Sequence, residues 1–111
     1  MNKYSQVAIK AGSYVKDGMT PKDAWEKASC EIFKPGSSSQ KKGCPKNAFL
    51  GLYGGKGKNA EYAIKALDFL KKNPNINIKP RELWLIVTEG ISKTYNQQMD
   101  VVIALFEAGL V

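Results

Sequence analysis

Histidine is absent from this 111-residue chain. That absence removes Ser-His-Asp and Cys-His activation of a nucleophile, histidine-ligated zinc, and the usual general base near neutral pH. Cysteine is scarce: Cys30 and Cys44 are the only two, and they form no C-x-x-C pair. Two cysteines so placed make no disulfide framework. No apolar run approaches the roughly 20 residues that span a bilayer. The opening MNKYSQVAIKAGSY has no long apolar core of a secretory signal. The expected protein is cytoplasmic, with no membrane partner, no cofactor and no metal. An enzyme would have to work through carboxylates, lysines, tyrosines or a lone thiol, so the reading leans toward a non-catalytic protein.

Acids are the next thing missing, and only from one place. The net charge is +7, yet residues 81–111 carry Arg81 and Lys93 against four acids. Residues 1–80 carry fifteen lysines against six acids, a balance of +9. Between Ile32 and Ala60 there is no acid at all, while Lys34, Lys41, Lys42, Lys46, Lys56 and Lys58 all fall there. A positive stretch of this kind points to an anionic partner: nucleic acid, a phosphorylated ligand or an acidic protein. No oligomeric state follows from these residues.

What is present reads as helix. The length is that of one domain, 1–111, able to bury roughly two-thirds of its unfolded surface without staples. Tyr4, Val7, Ala8, Ala11, Tyr14 and Val15 share one helical face, and Asp17-Gly18 ends that segment. In TPKD, Thr20 can cap a second helix, Pro21 fits its first turn, and Trp25, Ala28 and Ile32 give it an apolar stripe. GSSSQKKG, residues 36–43, has no apolar residue and reads as a mobile surface loop. Pro45 starts a short helix that Gly54-Gly55 ends, and Asn59 can cap the next, with Tyr62, Ala63, Ala66, Leu67 and Leu70 buried. NINIK alternates apolar and polar residues and permits a short extended piece. LWLIVT could be a buried strand, but Pro80-Arg81-Glu82 is in helix-start order and no second such run offers a partner, so it is assigned as helix. Tyr95, Met99, Val102, Ile103 and Phe106 form the face of the last helix, and Gly109 closes it so that Leu110 and Val111 can fold back. The expected fold is all-α, a compact single-domain bundle of five or six short helices.

CPKNAFLGLYGGKGKN, residues 44–59, is the densest candidate site. A phosphate-binding P-loop needs G-x-x-x-x-G-K-[ST] after a strand. Gly51 and Gly55-Lys56 are one residue too close for it, and Gly57 takes the hydroxyl position. What remains is generic: Gly54 and Gly55 free the backbone, Lys56 and Lys58 add charge, and Asn59 opens a helix whose N-terminus attracts anions. A plain helix connection explains the same residues. Cys44, near Lys41, Lys42 and Lys46, has the setting of an activated thiolate nucleophile, against the simpler reading of a small buried residue before a proline. Tyr53, beside the glycines, is the one aromatic placed to stack on a base.

Two further constellations read as structure. Residues 81–108 have a helix-turn-helix outline, with Asn96, Gln97 and Gln98 at the start of the second helix. No cation lies between Tyr95 and Glu107, which disfavours a recognition helix. Glu82 with Glu89, and Asp100 with Glu107, are seven apart and read as solvated faces rather than acid-base pairs. Trp25 and Trp84 read as core anchors, and Cys30 as a packed thiol.

TPKDAWEKAS, KKGCPKNAFLGL, NAEYAIKAL and NQQMDVVIALFEAGLV, in that order, resemble a family of small uncharacterised bacterial proteins, some of them products of mobile gene cassettes. The resemblance spans nearly the whole chain and implies a small, mostly helical domain with no established activity, so no site residues carry over. In that family a longer polar segment follows the AFLGL box, whereas YGGKGKN is short here. The resulting expectation is a binding or interaction module whose basic face, residues 32–60, meets an anionic partner. A small enzyme using Cys44, and helix-turn-helix DNA binding through residues 81–108, stand as the alternatives.

Overall fold

The computed structural model describes residues 2–91 and 93–111. They form six helices: α1 (Lys3–Lys16), α2 (Pro21–Ile32), α3 (Gly43–Leu52), α4 (Lys58–Lys72), α5 (Pro80–Val87) and α6 (Gln98–Glu107). There is no strand among the described residues. The fold is an all-α single-domain bundle.

Local chemistry sets most boundaries. Asn2 Oδ1 accepts from the Ser5 N–H and caps α1, and Gly18 ends its turn at φ +105°. Thr20 Oγ1 accepts from the Asp23 N–H, with Pro21 in the first turn of α2, so the TPKD start stands as read. At α5 the Glu82 carboxylate accepts from the Lys79 N–H, half of a capping box. Leu83, Trp84 and Val87 turn inward while Leu85 and Ile86 stay exposed. LWLIVT is therefore amphipathic over a helical period, and Pro80 fixes its start. NINIK is irregular: Ile76 N–H closes a turn onto the Asn73 carbonyl, and no extended partner lies beside it to form a ladder.

The core has two halves that share α6. Val101 and Leu105 join Val7, Ala11, Trp25, Ala28 and Phe49 in the first. Met99 and Val102 join Ala63, Ala66, Leu83 and Trp84 in the second. A short helix apolar on nearly every side is what burial between two layers demands. Tyr95 lies before this helix rather than on its face. Leu110 and Val111 fold back onto the first half, as expected from Gly109.

Residues 36–43 are pinned rather than free. Gln40 is buried, its Oε1 accepting from the Gly36 N–H and its Nε2 donating to Ser29 Oγ at 3.0 Å. The Tyr4 hydroxyl also donates to the Ser39 carbonyl. A polar stretch can be anchored by one amide that supplies both donor and acceptor, a feature apolar patterning does not register.

Candidate functional site

Five of the six lysines of the 32–60 stretch fall near the two ends of α3, and the sixth, Lys34, follows α2. Lys41, Lys42 and Lys46 flank its start, and Lys56 and Lys58 follow its end. Helix α3, ten residues long, spans roughly 15 Å at 1.5 Å of rise per residue. Some lysines elsewhere are paired with acids. Lys10 and Lys27 pair with Glu31, Lys65 with Glu89, and Lys72 with Asp68. Among the described residues Lys41, Lys46 and Lys56 have no carboxylate within 4.0 Å, and Lys58 has one loose pair, 3.8 Å from exposed Glu61. Lys42 is half-buried, donates to the neutral Gln97 Oε1 at 2.6 Å and lies over the Tyr4 ring.

The neighbouring candidates are drawn into the fold. The N–H groups of Gly54 and Gly55 donate to the Gly51 and Leu50 carbonyls, closing α3, which is the helix-connection reading of the glycines. Gly57 (φ +112°), not Asn59, occupies the cap of α4. Asn59 lies in the first turn of α4, and its Oδ1 accepts from Gln98 Nε2. Tyr53 packs its ring against Phe49 at 4.9 Å, and partial burial pushes its hydroxyl pKa up. Cys44 is half-buried in the first turn of α3. Cys30 is also half-buried, in α2, and desolvation with the Glu26 carboxylate 3.8 Å away raises its thiol.

Gln97 and Gln98, two of the three amides expected at the head of a recognition helix, are likewise used inside the molecule. Gln98 is buried, with Oε1 accepting from the Asn96 N–H and Nε2 bound to Asn59. Residues 88–97 separate α5 from α6, far more chain than the turn of three or four residues in a helix-turn-helix.

A second feature is a trough along α6. Two adjoining clefts, of about 350 and 390 Å³, share Asn2, Lys79, Pro80 and Asp100. One end adds Arg81, Tyr95 and Gln97; the other adds Ile78, Ile103, Ala104 and Glu107. Arg81 lies over the Tyr95 ring at 5.3 Å, and Tyr95 packs on Trp84. The Tyr95 hydroxyl donates to the Asp100 carboxylate and accepts from the Asp100 N–H at 2.9 Å. Burial first, and the Asp100 hydrogen bond second, push the Tyr95 pKa well above its usual value. Among the described residues neither Arg81 nor Lys79 has a carboxylate within 4.0 Å.

A family model described as a family of unknown function, DUF6979, matches residues 1–55 and residues 52–111. The chain belongs to that family. No curated protein and no solved structure matches it.

For this DUF6979 chain, sequence reading found the lysines and missed the trough. Asp100 and Glu107 share a helical face, as their spacing implied, and both line the trough. The cations opposite them come from α5 and the residue before it. Their convergence depends on how α5 crosses α6, which single-helix periodicity does not encode. The one available signal was Pro80, which places Lys79 and Arg81 around a helix start.

Proposed function

We propose that this protein is a non-catalytic binding module that presents its α3-flanking lysines to the surface of an anionic macromolecule. The observation that carries this reading is local charge: residues 32–60 hold six lysines and no acid, and Lys41, Lys46 and Lys56 have no carboxylate within 4.0 Å among the described residues. Positive clusters near both ends of a helix roughly 15 Å long suit an extended anionic surface better than one small ion. The resemblance to small bacterial proteins, including gene-cassette products, fits a bacterial chain acting in the cytoplasm. The test is retention on immobilised heparin, a generic polyanion. Joint alanine replacement of Lys41, Lys42, Lys56 and Lys58 should lower the salt needed for elution, because each lost contact reduces counterion release. Elution at unchanged salt, with the variant still folded by circular dichroism, would reject the reading.

A further inference from the structure

The trough has a polarity of its own, and it differs from that of the lysine face. At one end Arg81 and Lys79 have no carboxylate within 4.0 Å among the described residues, and Asp100, which also lines this end, accepts the Tyr95 hydroxyl on its carboxylate. The guanidinium is held over Tyr95, which is itself fixed by Trp84 and Asp100. A stacked arginine is preorganised, since its planar fork loses less freedom on meeting a carboxylate. Asn2 and Gln97 add neutral polar groups at the same end. Helices α1, α5 and α6 all begin at this rim, so their positive ends reinforce its sign.

The other end has an apolar floor of Ile78, Ile103 and Ala104, bounded by Glu107. From Asp100 to Glu107 the helix rises about 10 Å, the reach of a short alkyl chain. Asp100 and Glu107 on the same wall make the trough hostile to a polyanion and favour a head group of single charge. Cation at one end, apolar floor beyond it and acids along the wall together select a narrow ligand class.

We infer that the trough between α1, α5 and α6 binds a small amphipathic monocarboxylate, its head group on Arg81 and Lys79 and its apolar body on Ile78, Ile103 and Ala104. This site meets the lysine face proposed above only through the Lys42–Gln97 hydrogen bond, and either reading can fail without the other.

Octanoate titrated into the full chain, followed by amide chemical shifts, tests the inference. Saturable shifts should appear at Lys79, Arg81 and residues 98–104. Acetate, which lacks the tail, should bind at least tenfold more weakly, as should octylamine, which reverses the charge. Arg81→Ala and Ile103→Ser should each weaken octanoate about tenfold, while a variant with alanine at Lys41, Lys56 and Lys58, which keeps the Lys42–Gln97 bond, should bind it as the parent does. Arg81 is exposed, so Arg81→Ala is expected to fold, and its dispersed spectrum provides the check. Octylamine binding as tightly as octanoate would overturn the inference. So would inorganic phosphate binding as tightly at the same residues, or an unchanged affinity in folded Arg81→Ala. Octanoate shifts confined to the exposed Leu85, Ile86 and Ile91 surface would overturn it as well.

Discussion

Lys42 Nζ donates to Gln97 Oε1 at 2.6 Å across 55 residues of sequence, fastening the start of α3 to the start of α6. Gln97 holds a left-handed backbone, φ +64°, an uncommon state for a residue with a side chain. Its neighbour Gln98 reaches Asn59 in α4, so two consecutive amides connect α6 to both helices that carry the lysines. The lysine face is thereby mounted on the most buried helix of the bundle.

Gln97 makes opposing demands on stability, and two substitutions separate them. Gln97→Ala loses the bond to Lys42 and keeps the left-handed strain. Gln97→Gly loses the same bond but removes the strain, which costs a residue with a Cβ roughly 1–2 kcal/mol. Gln97→Gly is therefore expected to be more stable than Gln97→Ala by about 1 kcal/mol in urea unfolding. Equal stabilities would mean that residue 97 leaves the left-handed region in solution.

Much of the bundle was legible because its helices carry their own punctuation. Thr20-Pro21, Gly18, Pro80 and Gly109 act through local backbone geometry, and each marks a boundary near where it was read. Asn59 was misread because an Asn near a helix start can cap it or face outward, and only the position of Gln98 decides between the two. Residues 36–43 were misread because Gln40 is buried by Ser29, a residue of a different helix. Tyr95 was placed on α6 because its spacing fits, yet the backbone turns at Gln97 before the helix begins. The first two misreadings share a cause: polar contacts between elements leave no period in the sequence.

Close helix approach gives a second prediction. A Cβ on Gly51 would sit 2.4 Å from Ala60 Cα, and one on Gly12 would sit 2.9 Å from the side-chain tips of Leu105 and Leu110. Backbone cannot yield as a leucine methyl can. Gly51→Ala should force α3 and α4 apart and cost about 1–3 kcal/mol. Gly12→Ala should be close to neutral, since alanine regains up to about 1 kcal/mol of helix propensity and the leucines can rotate. Thermal melts would show the ranking, at roughly 4–8 °C per kcal/mol for a domain near this size. A larger loss in Gly12→Ala than in Gly51→Ala would contradict it.

The two tryptophans predict a third difference. Both are nearly fully buried, but Trp84 Nε1 donates to the Lys93 carbonyl at 3.0 Å, whereas Trp25 Nε1 has no partner among the described residues. Replacement by phenylalanine opens a similar cavity at each site. At Trp84 it also removes a hydrogen bond worth about 1 kcal/mol, while at Trp25 it removes an unsatisfied donor. Trp84→Phe should therefore be the costlier by about 1 kcal/mol or more, read from urea midpoints at constant slope. Equal costs would place a bound water at Trp25 Nε1.

Tyr95 carries the pH dependence. Its raised pKa comes first from burial and then from the Asp100 carboxylate. The folded chain therefore keeps a proton that the unfolded chain releases near the ordinary tyrosine value of about 10. Below that pH both states are protonated and the contribution to stability is complete. As pH rises above it, the unfolded state binds fewer protons than the folded one, and stability falls. Tyr14, raised by its bond to Glu31, and Tyr53, raised by burial, act in the same direction. Tyr95→Phe should thus lower stability at neutral pH, because the Asp100 carboxylate and N–H both lose a partner. It should also flatten, though not abolish, the decline above about pH 10. Urea unfolding of both proteins from neutral to alkaline pH reads out both effects. An equally steep alkaline decline in the variant would show that Tyr95 ionises within the fold like a free tyrosine.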